Sequence, residues 1–455
     1  MPLNDSVVTM YNCGPTVYDY VHIGNLRSFL CADLLRRVLE QHGYQVKQVM
    51  NITDVGHALA DADEGEDKVQ VAASKAGKTP QQIAEFYTDA FFGDIDRLGV
   101  KRAMQYPRAS QHVPEMIAII EKLLANGHAY TVGQNVYYDV SSFPAYGRLS
   151  GNTSEGLQAG ARVDVRTEKN NPADFALWIH NPNHLLQWQA PWGSGYPGWH
   201  IECSAMSMKY LGETIDIHTG GEDNMFPHHE CEIAQSEGAT SVQFARFWLH
   251  VTHLLVDGEK MAKSKGNFYR LDDLLAKGYS AREVRYLLLA THYRQQLNFT
   301  FQALDAARGA LTRLDNFVDT LNRYVAEKSG RASTIGAKAM AHIMSALDDD
   351  LHTPEALAAV FEFVRVINEK IAVKKLTGRE RAVALECVEQ VSALFGLTFL
   401  QNRDTIPADV QTLIDQREHA RQAKQFDESD RLRQEIADCG YVVDDTPEGP
   451  RVKKS

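Results

Sequence analysis

The sequence predicts an α/β chain: a parallel sheet of the nucleotide-binding type that carries an insertion, followed by a helical bundle and a small C-terminal domain. Three observations predict it. Strand-like and helix-like runs alternate from Val7 to Met50, a helical stripe of apolar residues begins at Leu304, and the character changes again past Asn402, where charged helical stretches lead into a β-rich end. With 455 residues and 44% hydrophobic content the chain has enough material for about two to four domains with cores of their own.

Val7 to Tyr11 reads as the first strand. A helix through Arg37 follows, with Leu26, Phe29, Leu30, Ala32, Leu34, Leu35 and Val38 on its apolar side. Between them lies His22-Ile-Gly-Asn25, a strand-to-helix junction where backbone N–H groups and the helix dipole favour anions, Gly24 allows close approach and His22 adds a donor. Gln45 to Met50 is a second strand, ending at Asn51-Ile-Thr-Asp54. Thr79 before Pro80 is an N-cap signal for a helix carrying Ile83, Phe86, Tyr87, Phe91 and Ile95, and another helix fits Val113 to Asn126. The insertion is expected over about residues 100–170. It holds a strand at Tyr137 to Val140, with the parallel sheet resuming near Ala176 to Trp178 and Ile215 to His218. A loop, Lys260-Met-Ala-Lys-Ser264, presents two ammonium groups. Ala307, Leu311, Leu314, Val318, Leu321 and Val325 mark one bundle helix, and others fit Ala337 to Leu347, Thr353 to Ile371 and Arg379 to Leu394. The tail contains a helix bearing Arg417, Arg421 and Lys424, then Phe426 to Arg431, then Tyr441 to Pro447 and Arg451. Read alone, its basic residues form a solvated face.

A net charge of −12 supplies no electrostatic argument for a nucleic-acid partner, so any RNA-facing surface must be local. No basic-then-apolar leader and no membrane-length apolar stretch is visible, which points to the cytoplasm. The six scattered cysteines do not form a secreted disulfide pattern. Three short matches are coincidental. Gly77-Lys78-Thr79 lacks the upstream glycine of a phosphate-binding loop, because Ala72 stands there; the acidic run Asp61 to Asp67 has Gly65 in the wrong place for a calcium loop; and Asn51-Ile-Thr53 has no secretory context.

His228 and Glu232 share a helix face at i and i+4 and can chelate one metal side by side. Cys13 and Cys203, in the two most loaded cysteine contexts, are the candidates for two further ligands, and two thiolates, an imidazole and a carboxylate suit tetrahedral zinc. Spacing alone leaves this level with a reading in which both cysteines are small buried hydrophobes. Cys231, three residues after His228, competes with Glu232 as the softer ligand.

His22 to Asn25 and Lys260 to Ser264 resemble the HIGH and KMSKS signatures of the class I aminoacyl-tRNA synthetases, with Asn25 in place of the second His and Ala262 in place of the first Ser. Cys13 after a strand, Trp199-His-Ile-Glu-Cys203, Phe226-Pro-His-His-Glu230 with Glu232, and the stretches Arg148-Leu-Ser, Ala159 to Asp164 and Asp174 to Trp178 are similar to cysteinyl-tRNA synthetases in particular. Those relatives usually carry a hairpin-like segment before the first strand, where this chain has only a few residues. The resemblance implies a class I Rossmann-type catalytic domain over 1–255, a stem-contact region with the lysine loop over 256–302, a helical bundle over 303–400 and an anticodon-binding domain over 405–455, the last moving Arg417, Arg421 and Lys424 toward RNA.

The same resemblance implies the reaction. L-cysteine and ATP, with Mg2+, form an adenylate, and cysteine passes to the 3′ terminal adenosine of tRNA(Cys), in a monomer without a membrane partner. It assigns His22, Asn25, Lys260 and Lys263 to catalysis, His22, Gly24, Asn25, Asp223 and Lys263 to ATP, and Gly14, Thr16, Thr53 and Trp199 to cysteine. It also assigns Cys13, Cys203, His228 and Glu232 to one zinc ion, favouring Glu232 over Cys231. Zinc explains why no editing domain is needed, since a thiol binds it as thiolate and a nearly isosteric serine hydroxyl does not. Two rival readings are a mycothiol ligase, which lacks the module expected from Leu413 to Arg451, and a silent paralogue that only binds RNA or zinc, which rests on Asn25 and Ala262.

Overall fold

The structure, a computed structural model, describes residues 2–55, 68–152, 168–326, 333–399, 407–446 and 449–454. The acidic run Asp61 to Asp67, the stretch Ala159 to Asp164, the start of the tail at residues 402–406 and the side chain of Arg451 lie outside the described residues. Two compact units are present: Met1–Leu311 with Ala339–Phe361 and Ala393–Leu397, and Thr312–Lys338 with Glu362–Ser392 and Thr398–Ser455.

The first unit is built on a four-stranded, all-parallel sheet. Its strands are β1 (Val7–Asn12), β2 (Gln45–Met50), β8 (Ile215–Gly221) and β9 (Ala245–Val251), in the order β2-β1-β8-β9. Helix α1 (Ile23–Gln41) crosses between β1 and β2 and buries Ile23, Leu26, Phe29, Leu30, Leu34 and Val38, the stripe expected of its spacing. Two charged residues on α1 are buried as well, and each is held by several hydrogen bonds, with only Arg27 Nε left without a partner among the described residues. The Arg27 guanidinium donates to the carbonyls of Thr252, His292 and Gln295 at 2.8, 3.0 and 2.9 Å. Asp33 accepts from Arg37 at 2.8 Å, from Arg285 at 2.5 Å and from the Lys101 N–H at 2.8 Å. A buried charge with this many partners costs several kcal/mol to strand, so α1 is bolted in place along its length. Helix α2 (Lys68–Ala76) leads to α3 (Pro80–Arg97), which Thr79 caps with Gln82 in a reciprocal capping box. Helix α4 (Val113–Ala125) ends one residue short of the expected Asn126.

The insertion is a five-stranded antiparallel sheet. It comprises β3 (Ala129–Val132), β4 (Asn135–Tyr138), β5 (Phe175–Ile179), β6 (Trp188–Ala190) and β7 (Gly193–Pro197), in the order β3-β4-β5-β7-β6. Here the structure corrects the sequence reading. Ala176 to Trp178 is a strand, but it pairs antiparallel with β4 and β7 and does not resume the parallel sheet. Its five residues are all buried, Phe175, Leu177 and Trp178 in the main core and Ala176 and Ile179 in a second cluster with Tyr137, so it lacks the alternation of a half-exposed antiparallel strand.

The chain leaves β7 directly into helix α5 (Trp199–Leu211) through Gly198, where a Cβ would lie 2.2 Å from the Ala176 carbonyl oxygen, so only glycine lets the helix start there. Helix α6 (Glu230–Thr240) follows β8 after a short wide turn, Met225–His229, in which Phe226 is extended; the expected helix start around His228 is thus displaced by two residues. Strands β10 (Leu254–Val256), β11 (Glu259–Lys260) and β12 (Leu297–Phe299) form a small sheet that carries the lysine loop, with helices α7 (Leu271–Leu275) and α8 (Ala281–Leu289) between β11 and β12.

Helices α9 (Phe301–Arg323), α10 (Ile335–Asp348), α11 (Thr353–Ala372) and α12 (Gly378–Phe395) follow where the periodicity placed them. Val325 is the exception: α9 stops at Arg323 and Val325 is 84% exposed, so the stripe ends at Leu321. Within the second unit Arg381 donates to the carbonyls of Leu321 and Asn322 at 2.6 and 3.0 Å, closing the end of α9. Its C-terminal portion, α13 (Ala408–Gln422), α14 (Phe426–Asp438) and the hairpin β13 (Tyr441–Thr446) with β14 (Gly449–Lys454), has its own small core of Val410, Ile414, Ile436, Tyr441 and Val443.

Candidate active site

At the start of α1 the His22 ring folds back on the helix, and its Nδ1 accepts from the N–H groups of Gly24 and Asn25 at 3.1 and 3.2 Å. The Asn25 side-chain Oδ1 in turn accepts from the His22 N–H at 3.1 Å, which completes a capping box. Gly24 leaves room for this ring position, because a Cβ there would lie 2.9 Å from His22 Cε1 and the ring would have to shift. Burial lowers the His22 pKa from 6.5 to about 4, with Lys263 acting in the same direction and Asp223 opposing it. The ring is therefore neutral near pH 7. With Nδ1 accepting, its proton sits on Nε2, and the Asn25 NH2 is likewise left over from the cap, so this helix start offers two side-chain donors.

Both groups face a cleft of about 280 Å³ whose lining includes Cys13, Gly14, Gly24, Asp223 and Lys260. Gly14 passes so close to the next strand that a Cβ would sit 1.8 Å from the Asn51 carbonyl oxygen. The other predicted residues stand outside the lining. Lys263 is ion-paired with Asp19 and lies 5.0 Å over the Phe268 ring. Thr16 and Thr53 form a parallel backbone bridge, and the buried Thr53 hydroxyl donates to Glu202 Oε2 at 3.0 Å. Trp199 opens α5 with its ring 4.5 Å from that of His228.

Cys13, Cys203, His228 and Glu232 converge, each offering a donor atom within 4.8 Å of the others. The i,i+4 relation survives the wide turn, with His228 Nε2 3.1 Å from Glu232 Oε1. A second set, Cys13, His218, His229 and Glu232, overlaps the first. His228 Nδ1 lies 2.8 Å from His200 Nδ1, and His229 Nδ1 lies 2.8 Å from His250 Nε2, so each ring has a partner that holds its orientation. Cys231 belongs to neither set; its sulfur lies 3.4 Å from the Tyr146 hydroxyl.

The donor set fits a divalent cation on chemical grounds. The Cys13 thiol is pushed well up by its hydrogen bond to Cys203 and by burial. For Cys203 the Cys13 bond pulls down, but burial and the charge of Glu232 outweigh it. Burial raises Glu232 too, partly offset by His218. Packed together these groups resist charge, whereas a metal ion among them would stabilise thiolate and carboxylate forms at once.

Sequence reasoning missed His200, His218, His229 and His250. The available signal was density: six of the 17 histidines fall between His200 and His253. It also missed Asp19, which partners Lys263, and misjudged Arg417. That residue is 2% exposed and holds Asp445 through two hydrogen bonds of 2.9 Å, with Arg421 on the same carboxylate, so the solvated basic face expected there is in part an internal ion pair.

A parallel sheet interrupted by an antiparallel insertion, a capped helix start beside the first strand and a lysine loop across the cleft define a class I aminoacyl-tRNA synthetase. A solved structure of Mycobacterium tuberculosis methionyl-tRNA synthetase in complex with methionyl-adenylate shares this fold, with a TM-score of 0.63 at 15% identity over 86% of this chain and 92% of that one. The chain belongs to the cysteine–tRNA ligase family. Residues 1–309 match the tRNA synthetases class I (C) catalytic domain, 342–400 the DALR domain and 403–451 the cysteinyl-tRNA ligase anticodon binding domain. Among its relatives, cysteine–tRNA ligase from Chlorobaculum tepidum is 43% identical, covering 98% of this chain and 95% of that protein. The Thermus thermophilus ligase is 45% identical over 98% and 94%. Among the described residues no helix is long and apolar enough to cross a membrane.

Proposed function

We propose that the chain activates L-cysteine with ATP and Mg2+ to the adenylate and transfers it to the 3′ terminal adenosine of tRNA(Cys), working as a monomer in the cytoplasm. One observation carries this reading: the capped start of α1 and Cys13, one of the four candidate metal donors, line the same cleft. The cysteine carboxylate attacks the α-phosphate, and charge builds on the departing pyrophosphate. His22 Nε2–H and the Asn25 amide donate to phosphate oxygens, Gly24 lets the nucleotide approach, and Lys260 and Lys263 follow the moving charge. Lys263 reaches the phosphates by exchanging Asp19 for them, a cation trading one anion for another. Asp223 accepts from the ATP ribose, and Gly14, Thr16, Thr53 and Trp199 shape the cysteine pocket.

Zinc is the metal, held by Cys13, Cys203, His228 and Glu232. When bound it supplies a soft Lewis acid that accepts a thiol as thiolate and rejects a serine hydroxyl. We set the catalytic domain at 1–255, with its insertion running from β3 to β7 (129–197) where the sequence placed it at about 100–170, the stem-contact region at 256–302, the bundle at 303–400 and the anticodon-binding domain at 405–455.

The test is ATP-dependent transfer of labelled cysteine onto total tRNA by the purified full chain, with Cys203→Ser as comparison. The expected result is robust charging by the native protein and loss of both metal and cysteine-dependent ATP–pyrophosphate exchange in the mutant. Exchange without charging would point to another acceptor, and stoichiometric zinc with full exchange in the mutant would overturn the ligand assignment.

A further inference from the structure

The two overlapping donor sets share Cys13 and Glu232; one is completed by Cys203 and His228, the other by His218 and His229. We propose that His218 is not a ligand but the residue that positions Glu232, fixing it as a one-oxygen donor to the metal; this rests on the metal site assigned above.

His218 sits in the middle of β8, wholly buried, opposite Tyr11 of β1 on one side and Trp248 of β9 on the other. Its ring stacks on Trp248 at 4.7 Å with an 18° tilt and meets Tyr11 edge-on at 5.2 Å, so strand register and packing leave it one orientation. In that orientation Nε2 points at Glu232 Oε2 at 2.8 Å, while Nδ1 has no hydrogen-bond partner among the described residues. A carboxylate accepts only, so the shared proton belongs to the imidazole Nε2.

The two oxygens of Glu232 are thereby divided. Oε2 is held by His218, and Oε1 faces His228 Nε2 at 3.1 Å and the Cys13 sulfur at 4.0 Å. Two consequences follow. A carboxylate with one oxygen held cannot swing to bind the metal through both, which would fill the coordination position that a substrate thiol needs. The hydrogen bond also fixes the carboxylate's aim within a fully buried shell, the kind of outer-shell support whose loss typically costs about 10–100-fold in metal affinity. The geometry also explains why a histidine stands here, since only a side chain that stacks between Tyr11 and Trp248 and donates at its tip meets both demands.

Two substitutions separate the hydrogen bond from the packing. His218→Gln keeps a donor near the Nε2 position and loses the stacked ring; His218→Phe keeps the ring and loses the donor. Zinc affinity of each full-length protein is read by competition with a chromophoric chelator, with thermal melting as the check on folding and the cobalt-substituted absorption spectrum as a report on ligand geometry. The expected result is near-native affinity and spectrum for His218→Gln, and affinity about 10–100-fold weaker for His218→Phe. Near-native affinity in His218→Phe would overturn the proposal. Equal loss in both variants would overturn it as well, and would assign His218 to the metal as a direct ligand. Failure of the native chain to take up one zinc would instead sink the underlying metal assignment, which the same titration reads separately.

Discussion

His22 and Asn25 divide their atoms between two tasks. The acceptor atoms, Nδ1 and the amide oxygen, close the capping box, and the donor groups are left for the cleft. This is why Asn25 can stand where the class I signature has imidazole: the position needs an acceptor toward the His22 N–H and a donor facing the cleft, and an amide supplies both. The neutrality of His22 follows from the same geometry, since protonating Nδ1 would set a proton against two backbone N–H groups. Its folded pKa of about 4 lies below the ordinary 6.5. Between those values the unfolded chain binds more protons, so stability from this residue is present above pH 6.5 and lost as pH falls toward 4. In an NMR titration of the imidazoles, the His22 signal is expected to stay in its neutral form through pH 6 and move near 4. A midpoint near 6.5 would show a solvated ring and remove the case for a fixed Nε2–H donor.

At the scale of elements, α13 and the C-terminal hairpin are joined by the Arg417–Asp445 pair, buried on the arginine side and open on the carboxylate side. Removing the guanidinium strands a carboxylate that can still reach water and Arg421, so the loss falls short of a fully buried pair. Arg417→Ala is expected to lower the stability of this module by about 1–3 kcal/mol, and Arg421→Ala, which leaves the bidentate partner in place, by less than about 1 kcal/mol. Hydrogen exchange of the α13 and β13 amides reads both; equal effects would mean that the pair contributes nothing beyond surface charge.

The sequence missed Arg417 for a physical reason. A basic residue at helical spacing reads as solvated unless its partner is seen, and Asp445 is 28 residues away. Most helices and the first two strands were legible because period and caps are local signals: Gln45–Met50 and the Thr79–Pro80 start emerged at the expected residues. The partner of Phe175–Ile179 was not legible, because a strand buried on both faces looks the same whether its neighbours run parallel or antiparallel. The candidate site divides the same way. Residues carried by motifs, among them His22, Gly24, Asn25 and the four candidate metal donors, could be named beforehand, whereas the contacts of His218 and His250 are ones that only the strand order β1-β8-β9 creates.

At the scale of the whole molecule, the cleft and metal donors lie entirely in the first unit, whereas residues 403–451 belong to the second and enclose a core of their own. A module with its own core can be removed without opening another. A chain ending near residue 400 is therefore expected to keep cysteine-dependent ATP–pyrophosphate exchange within about two-fold, since no cleft residue is lost. Transfer to tRNA should respond differently. With a net charge of −12 the protein has no general attraction for RNA, so each local contact surface matters, and losing one should raise the KM for tRNA by about 10²-fold while leaving the KM for ATP unchanged. Raising the salt concentration should weaken tRNA charging by the full chain with a steeper slope than by the shortened one, because fewer phosphate contacts remain to be screened. If exchange and charging fell together on truncation, the C-terminal module would be supporting the catalytic fold rather than binding RNA.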